Sequence, residues 1–468
     1  MARLTVAEAA EAVSGRVMTG DPRAIIDGAA IDSRAVRGGE AFFAFPGTQV
    51  DGHRFVADAL VRGAAAAIIQ EDIQEDVATP AAGALIRVED TFRALHDLAR
   101  FVRTRVPQKL VGITGSAGKT TTKELLGAIL ASRFKVSWTP GNLNNLYGFP
   151  LSLLNVPDGT EWMVAEMGMS TPGELRQLSL LGRPDAAVFT VVRPVHLEFF
   201  GTVQAIAEAK SEILAGLVPD GFVVANADDP EVTRIAKRHE ARIVWYGIHS
   251  PQADVRARDL RQDGAVGSRF VLEAEGQSQE MRLPLHGLYN VENCLAAAAC
   301  AWALGLTLDE IAAAVATVRP AAMRGVVHQA AGGYTLVDDS YNSNPDALDR
   351  ALESAGTLAG RRRVAVLGDM RELGPETPRF HREAGEHAAR RGFSPVVAVG
   401  ELSRELAAGA RAAGAESVWL PDAAAAADWA AGELREGDVV LVKASRGVGL
   451  DRVVKRLLGE INNDGAGA

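Results

Sequence analysis

The stretch VGITGSAGKTTTKELLGAIL, residues 111–130, constrains the fold of this 468-residue chain more than any other. A short apolar strand runs into a glycine-rich turn, and a helical pattern follows at once. Glycines let backbone N–H groups approach a phosphate closely, and a helix N-terminus adds partial positive charge. The stretch therefore predicts a phosphate-binding loop inside an α/β domain, with Gly115 and Gly118 in its turn.

The side chains after the turn fit a nucleotide. We expect Lys119 to reach the β- and γ-phosphates of ATP, the Thr120 hydroxyl to bind Mg²⁺, and Thr121 to belong to the same nucleotide site. The strict pattern has a glycine five residues before Gly118, where this chain has Ile113, so the loop is a variant. The alternative is a glycine turn that holds no ligand, but the flanking strand and helix favour ATP binding.

Composition excludes several classes of protein. Hydrophobic residues make up 47 % and charged residues 23 %, as in ordinary globular proteins. A net charge of −10 argues against nucleic acid as a partner. No apolar run reaches the length of a membrane span and the N-terminus lacks a signal-peptide layout, so we expect a cytoplasmic protein. Cys294 and Cys300, in one Ala-rich helical stretch, are interpreted as core residues rather than as a disulfide or a zinc site.

The fold class predicted from the strand and helix patterns is α/β with three domains. Residues 1–106 read as a small α/β N-terminal domain. Residues 107–318 read as a central P-loop ATPase domain with a parallel sheet covered on both faces. Residues 319–468 read as a C-terminal Rossmann-like domain, ending in a tail, INNDGAGA, that we expect to be disordered.

Two polar side chains follow apolar strands of the central domain. Glu166 ends the strand WMVAE, and His196 comes shortly after DAAVFTVV. Functional groups of open α/β sheets cluster beyond the carboxyl ends of the strands, so both are candidates for binding Mg²⁺ or supporting it. The alternatives are a helix cap for Glu166 and a surface or satisfied histidine for His196.

A lysine lies within an apolar helical stripe. Lys210 shares the three-and-four spacing of Val203, Ile206, Ala207, Ile213, Leu214 and Leu217. In one interpretation its stem packs along the apolar face and its ammonium reaches water. In the other, burial lowers the pKa of the amine, which stays neutral and can add CO₂ to form an anionic carbamate. The pattern alone leaves both open.

Taken together, the motifs resemble those of one family. TGSAGKTTTKE, AEMG, HLE, AEAKSEI, ANADDP, HGLYNVENCLAAAA, MRG, DDSYNSNPDAL and LGDMRELG occur in that order along nearly the whole chain. This order closely resembles the Mur ligases, the ATP-dependent amide ligases of peptidoglycan precursor synthesis. The resemblance implies carbamylation of Lys210, a magnesium site that includes Glu166 and His196, and roles for Lys119, Lys210, His196 and Arg324 in catalysis.

The resemblance also implies binding roles for other side chains. For the nucleotide it implies Asn290 and Asn293 near adenine, Arg324 at ATP and Asp339 near the ribose, although Asn290 could instead cap a helix. For the UDP-sugar it implies Ser33, Arg34, Asp51, Gly52 and His53. Asn142, Asn144 and Asn145 match the muramoyl-peptide end, or form only a turn. Tyr341, Asn342 and Asn344 match the site of the incoming amine.

The substrates implied by the resemblance are UDP-N-acetylmuramoyl-tripeptide and D-alanyl-D-alanine. The first-segment motifs favour a UDP-linked substrate, and DDSYNSNP favours the dipeptide. The alternatives are a Mur-type ligase that adds a single amino acid and, from another class, an ATP-binding switch without ligase activity. We expect ATP and Mg²⁺ as cofactors with a CO₂-derived carbamate on Lys210, and a monomeric protein.

Overall fold

The computed structural model describes residues 3–47, 50–71, 83–195 and 197–460. His196 and the tail INNDGAGA lie outside the described residues. The described residues form two compact units: one is drawn from Met1–Thr114, Arg133–Ala187 and Glu212–Phe222, and the other from Gly115–Ser132, Val188–Ser211 and Val223–Ala468. Of the helices in the described part of the chain, none combines the length and the apolar character that crossing a membrane requires.

The N-terminal part of the first unit is a small α/β fold. Its strands are β1 (Leu4–Thr5), β2 (Arg16–Thr19), β3 (Ile25–Ile26), β4 (Ala29–Ala30), β5 (Ala41–Phe43), β6 (Ala66–Ile69) and β7 (Ala84–Arg87), and its helices are α1 (Val6–Ala12), α2 (Val56–Val61) and α3 (Thr91–Arg105). The main sheet has the order β2-β7-β6-β5-β4, in which β4 to β7 are parallel and β2 pairs antiparallel with β7. Asp90 caps α3 by accepting from the N–H groups of Phe92 and Arg93.

The central part of the chain alternates strands and helices as predicted. The strands are β8 (Lys109–Thr114), β9 (Val136–Trp138), β10 (Trp162–Glu166), β11 (Ala186–Phe189), β12 (Phe222–Asn226), β13 (Arg242–Gly247), β14 (Val255–Gln262), β15 (Ser268–Ala274) and β16 (Gln277–Leu283). The helices are α4 (Lys119–Ala131), α5 (Gly148–Leu154), α6 (Glu174–Gly182), α7 (Leu197–Phe200), α8 (Val203–Ser211), α9 (Pro230–Ala236), α10 (Leu288–Ala303) and α11 (Leu308–Val315). Within the first unit β10 pairs in parallel with both β8 and β9.

Two features of the central part differ from the sequence interpretation. In the second unit β14 continues the parallel pairing of β13, but β15 and β16 extend the sheet antiparallel. The sequence does not predict β14 and β16 because each exposes much of its polar surface and lacks an apolar run. The single helix predicted through Leu217 is also wrong: α8 ends at Ser211, and Glu212–Gly216 is a 3-10 helix.

The C-terminal part of the second unit is the predicted Rossmann-like sheet. Its strands are β17 (Val326–Gln329), β18 (Thr335–Asp338), β19 (Arg362–Gly368), β20 (Phe393–Val399), β21 (Ser417–Leu420) and β22 (Asp438–Lys443), and its helices are α12 (Pro345–Gly356), α13 (Thr377–Arg390), α14 (Arg404–Ala412), α15 (Ala423–Glu433) and α16 (Asp451–Leu457). The order is β17-β18-β22-β19-β20-β21, parallel except for β17. Helices α12, α13 and α14 cover one face, and α15 and α16 cover the other.

Candidate nucleotide and substrate site

The glycine-rich turn has the conformation that its sequence requires. Gly115 has φ +154° and Gly118 has φ +83°. A Cβ at Gly115 would lie 1.8 Å from Thr190 Oγ1, and one at Gly118 would lie 2.1 Å from Asn293 Oδ1. Both positions therefore need glycine for space as well as for backbone conformation.

Hydrogen bonds fix this turn against the segment that follows β11. Ser116 N–H donates to Val191 O at 2.7 Å, and Ser116 Oγ donates to Arg193 O at 3.0 Å. Thr190 Oγ1 donates to Ala117 O at 2.6 Å. The turn is thus preorganised by its own unit and does not need a ligand to define its shape.

Lys119 and Thr120 lie where the sequence predicted them, in the first turn of α4. Lys119 Nζ donates to Gly115 O at 2.8 Å, so its ammonium lies over the loop, and Thr120 is buried. Gly118 precedes the helix and offers no side-chain acceptor to its first turn. An anion such as a phosphate can take the place of that missing cap. Thr121 is half-buried beside them.

Lys210 is buried, with 3 % of its surface exposed, which excludes the interpretation that its ammonium reaches water. Among the residues that the structure describes, no acidic side chain pairs with it. Burial lowers the pKa of the Lys210 ammonium well below its usual range, and repulsion from the Lys119 charge lowers it further. The side chain therefore favours the neutral, nucleophilic amine.

The two asparagines assigned to the adenine region both lie on α10 and are buried. Asn290 Nδ2 donates to His286 O at 2.8 Å, and Asn293 Nδ2 points to Asn290 Oδ1 at 3.4 Å. The capping alternative for Asn290 is wrong, because Gly287 is the N-cap residue and Asn290 lies inside the helix. The amide of Asn293 lies against Gly118, so this end of α10 reaches the phosphate loop.

Glu166 lies in the first unit, at the end of β10, and is buried. Its carboxylate accepts a hydrogen bond from Asn144 Nδ2 at 2.7 Å. Gly168 N–H in turn donates to Asn144 O at 2.8 Å, so the loop is tied to the strand end. Glu166 ends a strand, and the helix-cap alternative is therefore wrong.

The three asparagines of this loop have different surroundings. Asn144 contacts Glu166, whereas Asn145 Oδ1 accepts from Tyr147 N–H and Gly148 N–H, as a turn residue does. Asn142 is exposed. The turn interpretation thus holds for Asn145, and Asn144 is the member that can orient a functional carboxylate.

The residues assigned to the UDP-sugar form two clusters in the first unit. The Arg34 guanidinium pairs with Asp32 at 2.7 Å and lowers the pKa of that carboxyl, while Ser33 is buried beside it. His53 Nδ1 lies 2.7 Å from Asp51 Oδ1, and His53 Nε2 accepts from Gln70 N–H at 3.1 Å. This second contact fixes the proton on Nδ1, and the N–H groups of His53 lower the pKa of Asp51.

Gly52 belongs to the second of these clusters for a steric reason. A Cβ there would lie 2.8 Å from the backbone N and O of Phe45. The carboxylates of Asp51 and Glu71 lie within 4.8 Å of a ring nitrogen of His53 and of each other, a spacing that could suit a metal ion. Both nitrogens of His53 are committed to hydrogen bonds, however, so this group fits a cation poorly.

The third-segment candidates lie beyond the carboxyl ends of the parallel strands. Asp339 Oδ2 accepts from Lys443 Nζ at 2.5 Å, and the same ammonium donates to Asn342 O at 2.9 Å. Asn344 Oδ1 accepts from Ala347 N–H and caps α12, so this oxygen is committed to the helix. The Arg324 guanidinium stacks on the Tyr341 ring, 4.0 Å from its centroid.

Sequence reasoning missed two charged residues that position these groups. Lys443 is a buried lysine at the end of the apolar strand DVVLVK, and a charge in such a strand is itself a signal. Arg193 bridges two acids, with Nη1 2.6 Å from Asp229 Oδ2 and Nε 3.0 Å from Asp346 Oδ1. Nothing in the local sequence VVRPV marks Arg193, because both partners are distant along the chain.

Family models match three regions of the chain. The Mur ligase family catalytic domain matches residues 25–103, the Mur ligase middle domain matches residues 113–301, and the Mur ligase glutamate ligase domain matches residues 323–446. The UDP-N-acetylmuramoyl-tripeptide–D-alanyl-D-alanine ligase of Bacillus subtilis is 33 % identical over 465 residues, covering 98 % of this chain and 99 % of the relative.

Solved structures show the same likeness. A crystal structure of MurF from Acinetobacter baumannii has a TM-score of 0.86 and 30 % identity, covering 98 % of this chain and 99 % of that one. MurF ligase from Thermotoga maritima, crystallised with ADP, has a TM-score of 0.80 and 31 % identity, covering 92 % of this chain and 97 % of that one. The similarity therefore spans every part of the chain that carries a candidate residue.

Proposed function

The chain belongs to the Mur ligase family, and from that membership we propose that it joins D-alanyl-D-alanine to UDP-N-acetylmuramoyl-tripeptide and converts ATP to ADP and phosphate as it does so. The observation that carries this proposal is the identity of the match over its full extent: the Bacillus subtilis relative that bears this activity in its name is 33 % identical and aligns over 98 % of this chain and 99 % of its own.

The chemistry explains why ATP is needed. A carboxylate does not react with an amine at a useful rate, because oxide is a poor leaving group. Transfer of the γ-phosphoryl group to the tripeptide carboxylate gives an acyl phosphate and ADP. The dipeptide amine then attacks the acyl carbon, phosphate leaves with the C–O bond electrons, and the amine proton is lost. Both steps concentrate negative charge, which nearby cations stabilise.

Residues of the phosphate loop suit the first step. Lys119 lies over the loop and can move from Gly115 O to a phosphate oxygen, and the first turn of α4 is open to an anion. We assign Gly115, Gly118, Lys119, Thr120 and Thr121 to the triphosphate, Asn290 and Asn293 to the adenine, and Arg324 and Asp339 to the remaining nucleotide contacts. The contact of Asn293 with Gly118 supports this grouping.

Mg²⁺ prefers oxygen ligands, and the Thr120 hydroxyl is of that type. The Glu166 carboxylate is assigned to the same ion from the resemblance. Lys210 would supply a further pair of oxygens as a carbamate: the neutral amine attacks CO₂, an N–C bond forms and one proton leaves. The low pKa of the buried amine supports this modification. The ion would add positive charge at the phosphates. His196 is assigned to the same site from the resemblance alone.

The substrates are assigned by segment. Ser33, Arg34, Asp51, Gly52 and His53 are proposed for the UDP-sugar, and the loop of Asn142, Asn144 and Asn145 for the muramoyl-peptide end. Tyr341, Asn342 and Asn344 are proposed for the dipeptide. The domain limits 1–106, 107–318 and 319–468 follow these assignments, and the cytoplasmic location and monomeric state belong to the same proposal.

The test uses the purified chain with ATP, Mg²⁺ and UDP-N-acetylmuramoyl-tripeptide. Phosphate release and product mass are followed with D-alanyl-D-alanine, with single amino acids, and with no amine. The proposal expects release that depends on the dipeptide, together with a pentapeptide mass. Release with a single amino acid would instead identify a sister ligase, and ATP binding without release under any condition would identify a nucleotide-binding switch.

A further inference from the structure

The strand order of the C-terminal sheet predicts a crevice at the carboxyl ends of its parallel strands. Strands β18, β22 and β19 are neighbours in that order. After β18 and β19 the chain passes to α12 and α13 on one face, whereas after β22 it passes to α16 on the other face. Where neighbouring strands send their connections to opposite faces, a crevice opens at their carboxyl ends, and ligands of such folds bind there.

Arginine side chains gather around this crevice. Arg446 follows β22, and its guanidinium lies 5.8 Å from the centroid of the Tyr341 ring, which follows β18. Arg324 stacks on the same ring at 4.0 Å. Arg371 follows β19 and donates from Nη2 to Gly447 O at 3.5 Å, next to Arg446. Two guanidinium groups therefore share one ring, and a third lies against the residue that follows Arg446, in a chain whose net charge is −10.

The ion pair that Arg446 makes is long, and its carboxylate is shared. Asp451 Oδ1 lies 3.8 Å from Arg446 Nη1, and the other carboxylate oxygen, Asp451 Oδ2, lies 3.0 Å from Lys455 Nζ, so one carboxylate serves two cations. Arg446 Nη1 also donates to the sulfur of Met323 at 3.3 Å, a weak acceptor. The Arg446 side chain keeps 57 % of its surface exposed, which leaves its remaining N–H groups open to a ligand.

The backbone around the crevice is held in place. Tyr341 N–H donates to Met323 O at 3.2 Å, and Arg371 N–H donates to Ser445 Oγ at 3.0 Å. Met323 has φ +61°, a conformation that costs a non-glycine residue about 1–3 kcal/mol and concentrates at ligand sites. The Ser343 hydroxyl, two residues after Tyr341, is buried and has no hydrogen-bond partner among the described residues.

We propose that Arg446 binds the terminal carboxylate of the dipeptide acceptor and thereby sets the length of acceptor that the chain uses. The proposal rests on the ligase function proposed above and extends it to a residue that sequence reasoning did not single out. Guanidinium matches a carboxylate with two parallel N–H···O bonds, so it fixes orientation as well as charge. An acceptor shorter by one residue brings its carboxylate about 3.5 Å nearer to its amine, out of register with this contact.

The test compares two acceptors that differ only at the carboxylate: D-alanyl-D-alanine and its C-terminal carboxamide. The wild-type chain should prefer the acid by roughly 10- to 100-fold in kcat/KM, the range for a hydrogen-bonded charge. Arg446→Ala should lose most of that preference, because KM for the acid rises while kcat/KM for the carboxamide stays unchanged. Arg446→Lys should have an intermediate preference. Arg404→Ala is the matched control, since Arg404 is equally exposed and stacks on Trp419 at 3.7 Å.

The proposal is overturned if Arg446→Ala keeps the preference, or loses activity equally with both acceptors. Failure of the ligase function is a separate result, seen as no phosphate release by the wild-type chain with the dipeptide. In that case, calorimetric titration with the dipeptide alone still tests whether Arg446 binds its carboxylate. Binding that weakens at least about tenfold in Arg446→Ala supports it. Equal binding by both chains, or no binding by the wild type, rejects it.

Discussion

Arg193 Nε lies 3.0 Å from Asp346 Oδ1, and this ion pair ties the segment that fixes the phosphate loop to helix α12. Asp346 is also 3.2 Å from Arg350 Nε, and Arg350 Nη1 lies 2.5 Å from Glu292 Oε2 on α10. Charges of alternating sign thus link three elements. They run from the loop after β11, through the start of α12, to α10. Because each member is partly shielded from water, this chain of charges helps to hold α12 against α10 and the loop after β11.

Replacing Arg193 should destabilise the chain. Asp229, the partner of its Nη1 group, is buried, and Arg193→Ala leaves that carboxylate without a cation. We expect the free energy of unfolding in urea to fall by about 2 kcal/mol. Arg234→Ala is the control, because Arg234 pairs with Glu231 and Glu208 at a more exposed place. Its replacement should lower the free energy of unfolding by less than about 1 kcal/mol. Equal losses for the two variants would contradict the buried-pair interpretation.

The buried amine of Lys210 should make stability depend on pH. In the folded chain its pKa is lowered, whereas in the unfolded chain it has the usual value of about 10.4. Between these two values the unfolded chain holds the extra proton, so the free energy of unfolding rises with pH by up to about 1.4 kcal/mol per unit. Lys210→Met lacks this dependence. Urea unfolding of both chains from pH 7 to 9, in CO₂-free buffer, measures the difference. The prediction is wrong if the free energy of unfolding depends on pH in the same way in both chains.

Carbamylation makes a second, separable prediction for the same residue. Lys210→Ala should lose ligase activity, and formate or acetate should restore part of it by standing in for the carbamate. Lys210→Arg should stay inactive, because a guanidinium remains protonated and does not add CO₂. Phosphate release in the ligase assay measures all three. Full activity of Lys210→Ala would remove this side chain from the mechanism.

The parallel strands of the fold could be predicted from the sequence, because a buried strand reads as an apolar run. KLVGIT, RIVWYG and DVVLVK all form strands where that pattern places them. Strands β14 to β16 could not, since their polar faces contact water and their pairing with each other replaces the apolar signal. The end of α8 at Ser211 was missed for a related reason: apolar spacing continues into the 3-10 helix without a break.

The candidate site residues also differ in how far the local sequence predicts them. Lys119 and Thr120 follow from local sequence, because the loop and the helix start are contiguous. The burial of Lys210 required the structure, since the stripe fits either a reaching or a buried lysine. Arg193 and Arg446 could not be found locally at all. Their roles depend on residues more than a hundred positions away, which only the packing of the sheets brings together.

Asn144 should act through Glu166. Its amide holds the carboxylate at 2.7 Å, and a partner that orients a metal-binding carboxylate typically contributes 10- to 100-fold in metal affinity. Asn144→Ala should therefore raise the Mg²⁺ concentration for half-maximal ADP formation by roughly tenfold, at saturating substrates. Gln177→Ala, an exposed amide on α6, is the control and should leave it unchanged. A normal Mg²⁺ dependence with a raised KM for the UDP-linked substrate would assign Asn144 to substrate binding alone.

Gly118 offers the sharpest test of the phosphate loop, because the chain contains a matched glycine. Gly118 and Gly173 both precede a helix as its N-cap, with φ +83° and φ +87°. Alanine at either position pays about 1–2 kcal/mol for the left-handed backbone. A Cβ at Gly118 meets Asn293 Oδ1, whereas a Cβ at Gly173 meets nothing within 4 Å. We expect both variants to lose stability, Gly118→Ala more because of its contact with Asn293, and ATP binding to weaken at least about tenfold in Gly118→Ala only. Nucleotide titration of both variants decides it, and wild-type ATP affinity in Gly118→Ala would show that this turn does not hold the phosphates.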